Sequence, residues 1–316
     1  MLLKQYGLFR YEKNPIISPK DFEGAAAVFN CGQTMYKGKT ILLVAVILRN
    51  HEIPRIHVAE SEDGINFTIR KEPFITQSKK SHISHLDKWV IDPRVTYFAE
   101  EDVYYIIRPG NSEHGCVAFL GKTKDFETYE DIDVIALPHN RVPCLFPEKI
   151  GGYYARLDRP YTLVDDPHNH SQMGHIWLSY SPDLIHWGRH RVIVQPWINW
   201  NSVKIGPTPP IKTKDGWLVI IHGVGQSCAG QRYSLGAMLL DLEDPSKLIG
   251  KANSYILAPD AEYEFMGRVP NVVFACGAIP DYEQDRLRVY YGGADTCICL
   301  ATGKISEIVD MCKKGL

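Results

Sequence analysis

The sequence predicts an all-β fold, a five-bladed β-propeller, and three observations carry that expectation. A short motif recurs at near-constant spacing, the segments between its copies are rich in β-branched and aromatic residues, and long helical periodicity is nearly absent. The motif is an apolar strand, a small or polar residue, an Asp, a turn, and an apolar residue opening the next strand. It reads IHVAESEDGINF at Ile56–Phe67, VAFLGKTKDFETY at Val117–Tyr129, IWLSYSPDLIHW at Ile176–Trp187 and GAMLLDLEDPSKLI at Gly236–Ile249. Its turn aspartates, Asp63, Asp125, Asp183 and Asp244, are separated by 62, 58 and 61 residues. A degenerate fifth copy, CICLATGKISEIV, begins at Cys297, where the next interval places it. About four short strands per ~60-residue unit, repeated five times, is the pattern of propeller blades, whereas the rival β-sandwich rarely needs five evenly spaced units.

Taken in order, the further strands fall at Thr40–Leu48, Trp89–Phe98, Val103–Arg108, Tyr153–Arg156, Trp217–His222, Val269–Phe274 and Leu287–Tyr291. Turns rich in Gly and Asp separate them, at Lys37-Gly38-Lys39, Ile150-Gly151-Gly152, Lys214-Asp215-Gly216 and Asp281–Asp285. Asp and Gly suit such turns because they tolerate positive φ. Only the tail, Ile305–Lys313, reads as a short helix. The stretch Gly32–Thr40 resembles a phosphate-binding loop, but five residues separate its glycines and a strand follows where that motif requires a helix, so a hairpin is expected.

Composition narrows the function. The 316 residues carry 35 basic and 37 acidic side chains, a formal net charge of −2, which removes the basic surplus a nucleic-acid binder needs. Apolar residues at 45% and charged residues at 23% are globular values, and the even repeat makes residues 1–316 one propeller domain. The longest aliphatic run, Ile41–Leu48, is less than half the roughly 20 residues that cross a bilayer. The amino-terminal MLLKQYG lacks the apolar core of a signal peptide, so a soluble, cytoplasmic protein without a membrane partner is expected. Eight scattered cysteines form no CxxC pair, and the alternation around Cys297 and Cys299 reads as a strand with both thiols on one face. His82, His85, His168 and His170 lie in polar loop sequence with no carboxylates in pattern, so no metal is expected.

Propellers bind ligands at one mouth of the central channel, so charged residues inside strand-like apolar segments are the candidates. Five such segments stand out, in different repeats: Leu48-Arg49 with Arg55, Trp89–Arg94, Arg156–Pro160, Ile220–Gly223 and Tyr290–Asp295. Asp92 follows three apolar residues and precedes a proline. At the end of an apolar strand its carboxyl would be partly desolvated, which favours the protonated, proton-donating form. An ion pair with Arg94 is the equally weighted alternative. Arg49, Arg55, Arg141, Arg159, Lys204 and His222 are many basic groups for a nearly neutral chain to place in or beside strands. Singly each reads as a surface charge; converging, they would suit phosphate or another oxyanion.

The chain resembles glycoside hydrolase family 130, the β-mannoside phosphorylases and their hydrolytic relatives. The resemblance runs nearly end to end, through NPIISP at Asn14–Pro19, SEDGINF at Ser61–Phe67, DPR at Asp92–Arg94, LFPEK at Leu145–Lys149, DRP at Asp158–Pro160 and SPDLIHW at Ser181–Trp187. It continues through KIG at Lys204–Gly206, Gly216-Trp217, His222-Gly223, Tyr263-Glu264, VPNVVF at Val269–Phe274 and YYGGAD at Tyr290–Asp295. The resemblance implies a five-bladed propeller with Asp92 as general acid. It implies sugar contacts at Asn30, Arg49, Arg55, Asp92, His222, Glu264 and Asp295. Arg141, Arg159, Lys204, His222 and Tyr291 are implied as phosphate ligands. Arg108-Pro109 and the Cys31-Gly32 pair after Asn30 depart from the family's pattern.

Inverting hydrolysis needs an acid and a base on opposite faces of the sugar. Phosphate is already an anionic nucleophile, so a phosphorylase can replace the base with cations. One Asp with an Arg/Arg/Lys set therefore fits phosphorolysis of a β-mannoside to α-mannose 1-phosphate, phosphate being a co-substrate and no cofactor being needed. The resemblance further implies a proton relayed through the sugar's 3-hydroxyl, a β-1,2 linkage in preference to β-1,4, and a homo-oligomer. An inverting hydrolase or a catalytically silent sugar-binding propeller are the alternatives.

Overall fold

In the computed structural model, which describes residues 7–163, 172–228 and 230–315, the strands fall into five sheets that stand as the blades of a β-propeller. Blade 1 comprises Ala25–Tyr36, Lys39–Leu48, His51–Ser61 and Thr68–Ile69. Blade 2 comprises Arg94–Phe98, Val103–Ser112, Gly115–Thr123 and Glu130–Ala136, and blade 3 comprises Cys144–Leu145, Tyr154–Asp158, Ile176–Ser181 and Gly188–Val194. Blade 4 is built on Lys204–Pro207, Gly216–Ser227, Gly230–Leu240 and Leu248–Lys251; the hairpin Tyr161–Leu163 with Gln172–Gly174 is added to its inner edge.

Blade 5 takes Val273–Ala275, Arg286–Gly293 and Cys297–Lys304 from one end of the sequence and its outer strand, Phe9–Arg10, from the other. Phe9 pairs with Thr302 and Arg10 with Ala301, which closes the ring. The fifth copy of the motif therefore supplies a third strand but no fourth. Its tail becomes the helix Ile305–Lys314, whose Ile305, Ile308, Val309 and Cys312 are buried against blades 4 and 5.

Each seam between neighbouring blades holds its own apolar cluster, and this explains the aliphatic run of blade 1. Leu42, Val44 and Val46 pack towards Tyr290, Ile298 and Leu300 of blade 5, while Ile41 and Leu43 pack towards Val95, Tyr104 and Ile106 of blade 2. A strand buried on both faces has no polar face to alternate with, so it reads as continuous hydrophobicity. The same alternation sends Tyr290 into the seam with blade 1 and Tyr291 into the seam with blade 4. Gly32–Thr40 is a hairpin, turning at Lys37 and Gly38 with φ of 47° and 81°.

Two strand expectations are corrected. Trp89–Pro93 is not strand, and blade 2 begins only at Arg94; likewise Val269–Val272 is loop, and blade 5 begins at Val273. Proline interrupts both segments, at Pro93 and Pro270, and cannot donate to a ladder.

The recurring motif is the connection between third and fourth strands. Asp63 Oδ1 accepts the backbone N–H groups of Ile65 and Asn66, both at 2.8 Å, and Asp125 and Asp183 repeat the arrangement. Positive φ falls on the next residue and not on the Asp: Gly64 at 74°, Phe126 at 57° and Leu184 at 71°. The Asp is there to accept backbone donors. Those bonds, from Asn66 foremost, hold the Asp63 carboxyl well below the usual carboxylate range. Its contribution to stability is present above the ordinary carboxylate pKa and is lost as the pH falls through the depressed one. Asp63→Ala is therefore expected to lower the unfolding midpoint at neutral pH, with the gap from wild type closing in acid, as thermal melts across pH would register.

Candidate active site

The first strands of the blades begin at one end of the channel, and the polar residues gather there. Asn30 lies at a register shift in the first strand of blade 1, Asp92 just before that of blade 2, and Asp295 in the turn Ala294–Thr296 of blade 5. All three have left-handed backbones, with φ of 43°, 50° and 49°, a region Asn and Asp enter more readily than other side chains. The result is a short chain of polar groups. Asn30 Nδ2 donates to Asp92 Oδ1 at 2.9 Å and lies 3.3 Å from Asp295 Oδ1. Gly292 lets this happen, since a Cβ there would sit 2.1 Å from Asn30 Oδ1.

Facing Asp92 is a cluster of basic groups. Arg141 Nη2 stands 3.9 Å from Asp92 Oδ2. Arg159 is buried, stacks its guanidinium 4.6 Å from the Tyr161 ring centre, and has no hydrogen-bond partner at Nε or Nη1. Lys204 Nζ lies between the rings of Tyr161 and Tyr233, at 5.7 and 5.3 Å. His222 is buried, with its Nδ1 unpartnered; burial first, then Arg159, Arg94, Lys204 and Arg141, push its pKa well below the usual range. It is a neutral imidazole. Gly206 makes room for it, since a Cβ there would come within 2.3 Å of the ring.

These groups enclose a cavity of about 200 Å³, lined by Asn30, Asp92, Arg141, Val142, Arg159, Tyr161, Lys204, His222, Tyr233, Val269, Val272, Phe274 and Asp295. Its field is positive on one side: burial would raise the Tyr161 phenol, yet Arg159, Lys204 and Arg141 outweigh it and lower the pKa. On the other side, burial and then the neighbouring Asp92 charge push Asp295 up to about 6, against the opposing pull of Asn30, Arg141 and Arg268. Since folded Asp295 holds its proton more tightly than the unfolded chain, it favours the fold in acid and loses that contribution as the pH rises from 3.8 through about 6. Asp295→Asn should therefore gain stability relative to wild type across that window, by up to about 3 kcal/mol, and hold the gain above it. Melts of both proteins from acid to neutral pH measure this.

The sequence-derived candidates divide. Asn30, Asp92, Arg141, Arg159, Lys204, His222 and Asp295 meet at the cavity. Tyr291 does not: its ring is in the seam between blades 4 and 5 and its hydroxyl donates to Glu264 Oε1 at 2.7 Å, so the phosphate-ligand expectation is corrected. Glu264 does not reach the cavity either. It is fully buried, paired with Arg10 Nε and Nη2 at 2.8 Å each, and it accepts the N–H groups of Asp260 and Ala261. Arg49 is exposed and Arg55 half-buried, at the same end of blade 1 but outside the lining.

The Asp92–Arg94 alternative takes another form, because Arg94 Nη1 donates to the backbone carbonyl of Asp92 at 2.8 Å and leaves the carboxylate free of it. Arg108, which departed from the expected pattern, is buried in a two-pronged pair with Asp87 at 2.6 Å. Cys297 and Cys299 share one strand face with sulfurs 3.9 Å apart, as expected, and both are free thiols. His168 and His170 lie outside the described residues.

Sequence reasoning missed Tyr161, Tyr233 and Phe274. Tyr161 had a signal, standing two residues beyond Arg159 and hence on the same side of an extended chain. Tyr233 had none, since it arrives across the hairpin from Val224.

A family model described as beta-1,4-mannooligosaccharide phosphorylase matches residues 9–314. The chain belongs to glycoside hydrolase family 130. It is 34% identical to the beta-1,4-mannooligosaccharide phosphorylase of Ruminococcus albus over 97% of this chain and 91% of that protein. It is 35% identical to the 1,2-beta-oligomannan phosphorylase of a Thermoanaerobacter species, over 95% of this chain and 98% of that protein. The solved beta-1,2-mannobiose phosphorylase of Listeria innocua, in complex with beta-1,2-mannobiose, superposes with a TM-score of 0.84 at 31% identity, covering 97% of this chain and 99% of that one. As a member of the family the protein is a glycoside phosphorylase. No helix of the described residues is long and apolar enough to cross a membrane.

Proposed function

We propose that the protein catalyses reversible, inverting phosphorolysis of β-mannosides, β-1,2-mannobiose or short β-1,2-oligomannosides foremost, to give α-D-mannose 1-phosphate. The observation that supports it best is the pairing of one carboxyl, Asp92, with a cationic wall whose buried Arg159 has unpaired donors at Nε and Nη1. Unpaired buried cations are expensive and call for an anion. Phosphate held by Arg141, Arg159 and Lys204, with His222 donating or accepting as a neutral ring, attacks the anomeric carbon on one face of the sugar. On the other, Asp92 gives a proton through the sugar's 3-hydroxyl to the departing glycosidic oxygen, leaving Asp92 ionised and the acceptor sugar free. Holding both reactants supplies the positioning part of the rate enhancement. Asn30 and Asp295 meet the mannose hydroxyls, and Arg49 and Arg55 are available to them at the same end.

A hydrolytic reading would ask Asp295 to act as base. Its Oδ1 and that of Asp92 both lie within reach of one amide nitrogen, at 3.3 and 2.9 Å, so the two carboxyls share a side. An inverting hydrolase needs them about 6.5–9.5 Å apart with water between.

The β-1,2-oligomannan relative is 35% identical to this chain and the β-1,4 relative 34%, so identity does not choose the linkage. Coverage of almost the whole length of the β-1,2 enzymes favours β-1,2. The deciding experiment offers β-1,2- and β-1,4-mannobiose with and without phosphate. Phosphate-dependent mannose 1-phosphate from the β-1,2 sugar is expected. Faster release from the β-1,4 sugar reassigns the linkage, mannose without phosphate makes the protein a hydrolase, and binding without turnover makes it a sugar-binding module.

The catalytic unit is the whole propeller, residues 1–316, working in the cytoplasm, where its free thiols stay reduced. It acts as a homo-oligomer. Phe265, Met266 and Val269 are exposed beside the cavity and offer apolar surface to a second copy, which light scattering would detect.

A further inference from the structure

Arg141 and Arg159 come from different segments, and each follows a buried polar residue that faces away from the cavity: Asn140 and Asp158. These two residues bind each other. Asn140 Nδ2 donates to Asp158 Oδ1 at 2.8 Å, and Asn140 Oδ1 accepts the backbone N–H of Arg159 at 3.1 Å. Asp158 Oδ2 accepts from Ser179 Oγ at 2.5 Å, and Oδ1 is paired with Arg156 Nε at 2.8 Å. A backbone bond from Tyr161 N–H to the His139 carbonyl, at 2.9 Å, runs alongside.

The network touches the cradle only through the main chain. Its side chains border a separate cavity of about 540 Å³ between blades 2 and 3, floored by Arg156 stacked 4.0 Å from the Trp187 ring centre. Burial and the neighbouring Arg141 both disfavour the charged form of Arg159, so the two guanidiniums repel across the site. Something must hold their backbones together against that repulsion, and the bonds of Asn140 and of Tyr161 join the two segments directly.

We propose that Asn140, braced by Asp158 and Ser179, is a positioning residue that fixes the spacing of Arg141 and Arg159 and so sets the enzyme's affinity for inorganic phosphate. This rests on the reading of those arginines as the phosphate cradle. In Asn140→Ala the Arg159 amide loses its acceptor and the arginines relax apart, at no direct cost to the mannoside side of the cavity. Ser179→Ala removes one hydroxyl from the brace and should act in the same direction, more weakly.

The test measures phosphorolysis by each variant with phosphate and β-mannobiose varied in turn, beside a thermal melt. Asn140→Ala is expected to raise the phosphate KM about tenfold, the equivalent of one buried hydrogen bond, and Ser179→Ala about threefold, both with the mannoside KM within about twofold of wild type. A merely structural role would lower the melting point and the active fraction and leave the ratio of the two KM values unchanged; that result overturns the inference. Ser179→Ala alone carries the test if Asn140→Ala does not fold. Wild-type turnover that needs no phosphate is a separate result, overturning the cradle reading first and this inference with it.

Discussion

Asp92→Asn is expected to fold normally and to lose turnover by roughly 10²- to 10⁴-fold, the usual worth of a positioned proton donor. The fold survives for two reasons. Asn tolerates the φ of 50° that this position adopts, and its side-chain oxygen can still accept from Asn30 Nδ2 at 2.9 Å. What disappears is the proton. The glycosidic oxygen must then depart as an alkoxide. Initial rates at saturating phosphate, with a melt to establish folding, measure the effect; near-wild-type rates would remove Asp92 from the role of acid.

Arg159→Ala should raise the phosphate KM roughly 100-fold while holding or raising the melting point. Two donors, Nε and Nη1, lack protein partners, and each bond to an anion is worth about 1.5–3 kcal/mol. The folded protein gains little from this side chain, because burial, Arg141 and Arg94 work against its charge and outweigh the favourable Tyr161 and Tyr233. Loss of function without loss of stability is the mark of a group kept for its ligand. Substrate-saturation curves in phosphate, with a melt alongside, check both halves. An unchanged phosphate dependence would take Arg159 out of the cradle, and a large drop in melting point would make it a structural residue.

The fold was legible because propeller blades repeat their chemistry as well as their length. The aspartate-led turn recurs since the third strand of each of blades 1 to 3 must return to a fourth and needs an acceptor for the N–H groups exposed at the turn. The end of the repeat was not legible, because pairing of Phe9–Arg10 with Cys297–Lys304 leaves no local pattern in either segment.

At the site, charged residues set in apolar sequence pointed to Asp92, Arg159 and His222 for a physical reason: burial without use is costly. The family resemblance added Tyr291 and Glu264, and the structure places both outside the cavity lining. Each is polar and buried: the Tyr291 hydroxyl donates to Glu264, and Glu264 accepts from Arg10 as well. Period-two alternation separates Tyr290 from Tyr291, but which seam each enters depends on which blades flank them, and that is known only after the ring closes.

Arg10 links ring closure to catalysis. The strand that zips blade 5 shut carries the guanidinium gripping Glu264, 254 positions away, and Glu264 anchors the segment that ends in the cavity-lining Val269 and Val272. A chain still lacking blade 5 has four walls of its mouth and no fifth, and Asp295 is missing from the lining. The mouth is complete when Phe9–Arg10 meets Cys297–Lys304.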